Sequence, residues 1–497
     1  MKKFDLNTPL IELRGEEETC RYWTIRNAVE GTQIFGGIGS GKSSGSGQFI
    51  ALKYLAAGFG GLVLTVKPDE VEVWKDYCQR ANRSDDLIIV DPSHNNYFNF
   101  LEYESGGKNI TENVVQVLKT VIRAGEDKAG GKGDDSFWET ALDMLITNVI
   151  DLCKLAHGSA SIQEMYEIVQ FLPRPEMTID DRPNAFTSAF TAARKNVLQK
   201  VEEWEKSFST DEMDVMQSEY LYEQAMCDAI PEARTLKFID QFFLQTFLNL
   251  SEKTRSIIDF SFSGFLFRLL REPIYNLFCQ NASTFTPEDC LQGKIILINL
   301  PVKQFNKVGR DCQILFKYIW QRAMEKRNVR ENGLPVFLWA DEAQHFLHEY
   351  DAEYQATARS SRIATVYISQ NLPNYHANMS GHKSEHQIKS FLGTLATKIF
   401  HANVEVETNK YASELIGDGY FEDVSRNVSM TDKFSASLGK SLKIDRIVRP
   451  ERFSRLKTGS ERNLNMVESI IHVQGDLLAD TQNYLKIQFQ QEFFINF

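Results

Sequence analysis

The segment Gly36-Gly-Ile-Gly-Ser-Gly-Lys-Ser43 has the residue types and the spacing of a loop that binds phosphate. Its glycines allow backbone N–H groups to converge on phosphate oxygens, Lys42 would reach the β- and γ-phosphates, and the Ser43 hydroxyl would ligate Mg²⁺. The predicted ligand is therefore a nucleoside triphosphate, here ATP, with Mg²⁺. The residues predicted to contact it are Gly36, Gly37, Gly39, Ser40, Gly41, Lys42, Ser43 and Ser44.

Hydrolysis needs acidic residues beside this loop, and Asp341 and Glu342 are the candidates. They follow five apolar residues, Val336–Ala340, which have the composition of a buried strand. Asp341 would hold Mg²⁺ through water, together with Ser43, and Glu342 would polarise the attacking water as a general base. In the alternative interpretation, the acidic pair only caps the next helix.

Three further polar residues flank a second apolar run, Ala364–Ser369. Gln370 follows this predicted strand and could sense the γ-phosphate or position water. Arg359 and Arg362 precede the strand, and an arginine delivered to a neighbouring subunit's nucleotide would stabilise the charge of the transition state. For either arginine the alternative is a surface salt bridge.

The elements that must position these residues alternate between buried strands and helices. Strand-like runs at Gly31–Phe35, Gly60–Val66 and Leu87–Val90 are separated by helical periodicity over Ser44–Ala57 and Asp69–Asn82. This order predicts an α/β fold with a mostly parallel central sheet. Helical periodicity alone then extends from about residue 110 to 278, after which the alternation resumes. The sequence therefore predicts an all-α domain inserted into the α/β domain.

Three segments follow from this pattern. Residues 1–109 would form the first half of the nucleotide-binding domain with the phosphate loop, and residues 110–280 the inserted all-α domain. Residues 281–497 would complete the nucleotide-binding domain with the acidic strand, the sensor strand and a β-rich end. The Gly-rich stretch Gly125–Gly133 is a predicted mobile loop. The pattern leaves open whether Gln482–Phe497 is a last strand or a docking segment.

Composition limits the function classes. The 497 residues carry a net charge of −12, so nucleic acid would not be bound over the whole surface. Seven cysteines without a C-x-x-C pair argue against a thiolate zinc site and favour a reducing, cytosolic location. No apolar run approaches the roughly 20 residues of a membrane helix. One segment, Ser425–Arg462, is basic, with ten basic and four acidic residues; it is interpreted as a solvated face or subunit contact, with nucleic-acid contact as the alternative.

With these residues in view, the chain resembles the TraG/TraD-type coupling proteins of type IV secretion and conjugation, in the FtsK/HerA group of ring ATPases. The resemblance covers most of the chain. It rests on the phosphate loop and on the segments Asn99-Phe-Leu-Glu102, Phe137-Trp138-Glu139, Asp341-Glu342-Ala-Gln344, Arg359, Ser369-Gln370 and Glu414-Leu-Ile-Gly417. Two features depart from the family pattern. No membrane-spanning helices are evident, and Thr65-Val-Lys67-Pro68-Asp69 keeps the lysine but lacks the acidic residue of the family's Asp-Pro-Lys-Gly.

The resemblance implies a RecA-like P-loop domain, assembly into a homo-hexamer and ATP-driven movement of DNA through a central channel. It favours Arg359 over Arg362 as the arginine that acts in trans. It also implies secretion-channel, relaxase or nuclease proteins as partners and a cytoplasmic location, peripheral at the inner membrane through those partners.

Two alternatives remain open. One is a HerA/FtsK-like helicase or defence-associated ATPase, which the missing membrane helices favour. The other is a platform that recruits protein substrates and uses ATP only for assembly, which the acidic charge favours.

Overall fold

The computed structural model describes residues 4–14, 20–105, 110–125, 135–174, 183–208, 219–378, 384–430, 434–478 and 482–491. Apart from Gly125, the predicted mobile loop at Gly125–Gly133 lies outside these residues. The described chain forms two compact units. The first comprises residues 1–89, 287–306 and 320–497, and the second comprises residues 90–286 and 307–319. The three-segment division at 109/110 and 280/281 stays a prediction.

Thirteen strands are present in the described part of the chain. They are β1 Pro9–Arg14, β2 Cys20–Thr24, β3 Thr32–Phe35, β4 Gly60–Leu64, β5 Leu87–Val90, β6 Ile295–Ile298, β7 Val336–Ala340, β8 Ile363–Ser369, β9 Thr397–His401, β10 Asp418–Met430, β11 Phe434–Arg446, β12 Met466–Val473 and β13 Tyr484–Gln490.

Nine of these strands form one sheet in the order β13-β12-β9-β3-β8-β7-β4-β6-β5. The neighbours from β9 to β6 pair in parallel, while β12 is antiparallel to both β9 and β13. The prediction of an α/β fold with a mostly parallel central sheet is confirmed. The antiparallel edge resolves the open question at the chain end, because Tyr484–Gln490 is a strand of this sheet.

The parallel strands are apolar throughout because both faces of the sheet are covered. Every residue of β4, β6, β7 and β8 is buried. On one face, Trp74 lies on the helix Glu70–Arg80, which follows β4. Its ring stacks on Phe337 and meets Trp339 edge-on, with ring centroids 5.8 and 5.5 Å apart. Burying side chains of this size contributes roughly 1.5–3 kcal/mol each, so this cluster holds the helix layer to the sheet.

The α-helices in the described residues are α1 Ile25–Val29, α2 Gln48–Ala56, α3 Glu70–Arg80, α4 Phe100–Ser105, α5 Ile110–Gly125, α6 Asp135–His157, α7 Ile162–Gln170, α8 Ala185–Glu205, α9 Glu219–Ala229, α10 Pro231–Gln241, α11 Phe247–Asn249, α12 Glu252–Leu269, α13 Val302–Glu325, α14 Asp351–Ala358, α15 Leu372–Asn378, α16 Ser384–Thr394, α17 Val406–Ile416 and α18 Pro450–Phe453. Among these helices, none is long and apolar enough to cross a bilayer.

The second unit is built from helices whose ends have ordinary sequence signals. Ser161 and Glu164 form a capping box at the start of α7, with the Glu164 N–H donating to Ser161 Oγ at 3.1 Å. Asn184 caps α8 by accepting from the Thr187 N–H at 2.9 Å. Pro231 lies at the first turn of α10, where its missing N–H costs nothing.

Candidate active site

The predicted site residues follow the carboxyl ends of adjacent parallel strands. β3 leads into the phosphate loop, β7 into Asp341, and β8 into Gln370, while β4 leads into the segment that contains Lys67. Because these strands lie side by side and run in the same direction, their carboxyl ends meet at one edge of the sheet. We call this edge the nucleotide edge.

The phosphate loop is shaped by glycine. Gly39 and Gly41 have φ angles of +71° and +80°, a region that residues with a Cβ rarely adopt. At Gly41 a Cβ would also lie 2.5 Å from Val467 Cγ2 of β12. Within the described residues, the N–H groups of Gly41 and Lys42 donate to no protein acceptor. The loop therefore presents free backbone donors in a cradle that a side chain would fill.

The helix after the loop differs from the expectation of one α-helix over Ser44–Ala57. Ser43–Gly47 forms a π-helical turn, in which the Gly47 N–H donates to Lys42 O at 2.9 Å, and α2 then begins at Gln48. The run Ser-Ser-Gly-Ser-Gly has small side chains, so the wider turn brings no steric conflict. Such turns are often found at functional sites.

Lys42 and Glu342 face each other, with Nζ 3.5 Å from Oε1. Glu342 also accepts a hydrogen bond from Gln344 Nε2 at 2.9 Å and one from Gln370 Nε2 at 3.2 Å. Ser369 Oγ donates to Gln344 Oε1 at 2.9 Å, which fixes the orientation of that amide. The structure thus brings the predicted lysine, base and sensor together.

The electrostatics of Glu342 suit a base. Burial raises its pKa, but the hydrogen bond from Gln344, the Lys42 charge and the hydrogen bond from Gln370 outweigh burial, so the pKa lies below its ordinary value. The carboxylate is therefore ionised at neutral pH. The Glu342 backbone is left-handed, with φ +50°, at a cost on the order of 1–2 kcal/mol. Strain of this kind concentrates at functional sites.

Ser43 and Asp341 form the second half of the site. Ser43 Oγ donates to Asp341 Oδ2 at 2.6 Å. Burial raises the pKa of Asp341, although the Ser43 hydrogen bond and the Lys42 charge oppose this effect. Mg²⁺ takes hydroxyl and carboxylate oxygens as ligands together with phosphate oxygens. The free backbone N–H groups beside them would bind the phosphates. The residues present therefore fit a triphosphate and Mg²⁺.

Arg359 lies away from these residues. It follows α14 and precedes β8, whereas Gln370 follows β8, and seven strand residues span roughly 20 Å. Its Nε is 3.3 Å from Oε1 of Glu30, which precedes β3. Arg359 is therefore at the amino edge of the sheet, opposite the nucleotide edge, and cannot reach the phosphate loop of its own chain. Arg362 is structural, because its Nη1 donates to the carbonyls of Phe4 and Gly333 at 2.7 and 2.8 Å.

The structure adds residues that sequence reasoning did not identify as part of the site. Glu70 accepts the Val66 N–H at 2.7 Å, and burial together with the Asp341 charge raises its pKa to about 8. His401 Nε2 lies 2.7 Å from Ser46 Oγ, and burial lowers the pKa of His401 to about 3, which keeps the ring neutral. Glu70 could have been noticed at the start of α3. His401 could not, since it is 355 residues from Ser46.

Comparison with known proteins gives one family. A family model described as type IV secretory system conjugative DNA transfer matches residues 17–476. No curated protein sequence matches the chain at a significant level.

Solved structures with the same fold include three of one coupling protein. The chain is 12% identical to the bacterial conjugative coupling protein TrwBdeltaN70 in an unbound monoclinic form, with a TM-score of 0.55 over 94% of this chain and 86% of that chain. For TrwB in complex with ADP and Mg²⁺, the identity is 12% and the TM-score 0.55, over 96% of this chain and 88% of that chain. For TrwB in complex with the non-hydrolysable ATP analogue ADPNP, the identity is 13% and the TM-score 0.54, over 95% of this chain and 88% of that chain. At these identities the matches establish a shared fold, and the predicted RecA-like fold with a mostly parallel central sheet is confirmed.

Proposed function

Because the chain belongs to the type IV secretory system family of conjugative DNA transfer, we propose that it is an ATPase that moves DNA through a homo-oligomeric ring. One observation carries the proposal: Glu342 is hydrogen bonded to Gln370 and lies 3.5 Å from Lys42, on the same sheet edge as the phosphate loop. ATP binding for assembly alone needs only contacts to phosphate and metal, so a placed base indicates turnover.

The residues have separate tasks. The free N–H groups of Gly41 and Lys42, with the Lys42 ammonium, bind the phosphates, and Ser43 with Asp341 holds Mg²⁺. When bound, Mg²⁺ neutralises phosphate charge. Glu342 accepts the proton of the attacking water, for which its lowered pKa keeps it ionised. Gln370 orients the water and the Glu342 carboxylate.

Arg359 acts on the nucleotide of a neighbouring copy. The amino edge of one sheet would then face the nucleotide edge of the next, and repetition of this head-to-tail contact closes a ring. We propose a hexamer, as the family resemblance implies. The guanidinium already has Nε beside Glu30, which leaves its terminal nitrogens for the phosphate.

DNA is the proposed cargo, with relaxase, secretion-channel or nuclease proteins as partners. Because the proposed reaction consumes ATP, the proposed location of the catalytic domain is the cytoplasm. Channel partners would bring it to the inner membrane. The phosphate-loop, all-α and acidic-strand segments (1–109, 110–280 and 281–497) are the proposed domains.

The test is the ATPase rate of the purified chain with and without single- and double-stranded DNA, together with particle shape by electron microscopy. We expect ring particles and a rate that DNA increases several-fold. Glu342→Gln removes the base, and Glu353→Gln makes the same charge change at an exposed position of α14. Turnover that survives in Glu342→Gln, or that no form of DNA stimulates in the wild type, would contradict the motor.

A further inference from the structure

Strands β10 and β11 form a long two-stranded ribbon. All thirteen residues of each strand pair in one unbroken antiparallel register, from Asp418 with Arg446 to Met430 with Phe434. In the described part of the chain the ribbon makes up a sheet by itself. A two-stranded hairpin is marginal in water on its own, so a ribbon of this length indicates a surface that another body covers.

The two faces of the ribbon differ in their apolar side chains, although the more apolar face also carries Asp418, Glu422, Lys440 and Arg446, which form ion pairs with one another. Residues directly opposite one another share a face, and faces alternate along each strand. On one face, Tyr420 lies opposite Ile444, and these side chains are 75% and 61% exposed. Leu442 and Val424 lie on the same face and are 71% and 45% exposed. Leu438 continues this face and is 60% exposed. We call these five residues the apolar face. The opposite face carries Asp423 paired with Ser441 and Phe421 paired with Lys443.

Four basic residues in and next to the ribbon have acidic partners. Lys440 Nζ lies 3.2 Å from Glu422, and Lys443 Nζ lies 3.9 Å from Asp445. Arg446 pairs with Asp418 at 3.0 Å, and Arg449 also pairs with Asp445. Phosphate binding needs basic side chains without acidic partners. These ion pairs lower the net positive charge that the described part of the ribbon presents.

The base of the ribbon is tied to the nucleotide edge. Helix α17 directly precedes β10, and its Thr408 Oγ1 accepts the Leu372 N–H at 2.9 Å. Asn403 Nδ2, just before α17, donates to the carbonyl of Gln370 at 2.9 Å. At the other end of the helix, Ser413 Oγ donates to Val448 O at 2.6 Å. The start of the helix that leads into the ribbon is thus tied to the segment that follows β8 at the nucleotide edge.

The size of the ribbon limits its occupant. Thirteen residues at about 3.4 Å each give a length of roughly 44 Å, and a width of about 10 Å gives a face of roughly 400 Å². A stable interface takes about 800 Å² from each partner. The apolar face is therefore part of a larger contact surface. A neighbouring copy that brings Arg359 to the nucleotide edge would supply one.

We propose that the apolar face of the ribbon packs against the neighbouring copy of this chain and holds it at the nucleotide edge. The proposal rests on the ring of the proposed function. The contact is heterologous, since the ribbon of one copy covers a different surface of the next. Burial of the five apolar side chains stabilises both the ribbon and the ring, and the hydrogen bond from Asn403, just before α17, to the Gln370 carbonyl joins the contact to the active site.

The test places a photo-crosslinking amino acid at position 442 on the apolar face or at position 441 on the opposite face, in the purified full chain with a non-hydrolysable ATP analogue and DNA. We expect covalent dimers from position 442, identified by mass spectrometry as two copies of this chain, and several-fold fewer from position 441. Crosslinks from 442 to DNA, equal yields at both positions, or rings without crosslinks from 442 would overturn the proposal.

A substitution gives a second readout. Leu442→Glu should weaken ring assembly at least tenfold by mass photometry, whereas Ser441→Glu, with the same added charge, should leave it unchanged. Tm checks folding, and Leu442→Ser replaces the glutamate variant if its Tm falls. Intact rings in Leu442→Glu overturn the ribbon contact alone. A wild-type chain that never assembles and shows no DNA stimulation overturns the proposed function and with it the ribbon contact.

Discussion

The Lys42 ammonium lies 3.5 Å from Oε1 of Glu342, and both side chains are about nine-tenths buried, with 10% and 9% exposed. The same lysine is the one that a triphosphate needs, so the carboxylate and the phosphates compete for one cation. Burial raises the pKa of Glu342, but the Gln344 hydrogen bond and the Lys42 charge lower it, and the pKa lies below its ordinary value. Binding and hydrolysis are thus coupled through a single contact.

Glu342→Gln separates these two effects. Loss of the base should lower the ATPase rate by roughly 10²–10⁴-fold. Lys42 loses its anionic competitor, so ATP affinity should stay equal or rise. Stopped-flow ATPase assays and calorimetric titration with a non-hydrolysable ATP analogue measure the two quantities. Glu353→Gln should match the wild type in both, and a Glu342→Gln chain that binds ATP more weakly would refute the competition.

Arg359→Ala should lower turnover by roughly 10³-fold or more without weakening ATP binding, because the arginine serves another copy's nucleotide. Mixing this variant with Lys42→Ala, itself inactive, should restore part of the activity, since an intact phosphate loop then meets an intact arginine. Arg330→Ala removes an exposed guanidinium and is the control. Activity that never returns on mixing would argue against action in trans.

Gly41→Ala should abolish detectable nucleotide binding for two reasons: φ is +80° and the new Cβ would lie 2.5 Å from Val467. The strain costs about 1–2 kcal/mol. Gly39→Ala has the strain without the clash, because nothing lies within 4 Å of its Cβ, and should lose less affinity. The double variant Gly41→Ala with Val467→Ala should recover to about the level of Gly39→Ala, and no recovery would show that the contact with β12 is unimportant.

Lys398→Met should stabilise the fold at neutral pH. Lys398 is 3% exposed on β9, and burial lowers its pKa to about 8 from 10.5. Below pH 8 the amine is charged in both states, and its burial costs roughly 3 kcal/mol. Between pH 8 and 10.5 the folded state releases the proton first, so wild-type stability rises with pH. The Tm of Lys398→Met should exceed that of the wild type at pH 7 by a few degrees.

The difference in Tm between Lys398→Met and the wild type should narrow as the pH rises from about 8 to 10.5. Differential scanning calorimetry at pH 7, 8.5 and 10 measures it. Lys389→Met is the matched control, because Lys389 is 70% exposed and paired with Glu385 at the surface. A pH-independent Tm difference would mean that hydrophobic replacement, and not the buried charge, is responsible.

Part of the fold and site could be predicted because the signals are local. The phosphate loop, the acidic pair after Val336–Ala340 and Gln370 after β8 each depend on a strand followed directly by a polar turn. Buried parallel strands need apolar residues at every position, so these strands were recognisable by composition. Their polar successors must then meet at one edge, because parallel strands end together.

Other features depend on contacts between distant residues and could not be predicted. The clash that makes Gly41 obligatory comes from Val467 on β12, a strand whose pairing with β9 no local pattern specifies. The ion pair of Lys440 with Glu422 depends on the β10–β11 register, which places Lys440 opposite Val424 and next to Glu422. Counting the charges in the sequence does not reveal this strand register.

The amino-acid sequence alone determined which residues could bind a triphosphate and activate water, because those capacities belong to side-chain types at fixed short spacings. The tertiary structure decided where each capacity is used. It placed Glu342 against Lys42 and set Arg359 at the opposite edge, beside Glu30. The physical reason is that chain direction and strand order, which no short segment encodes, decide which strand ends lie together in space.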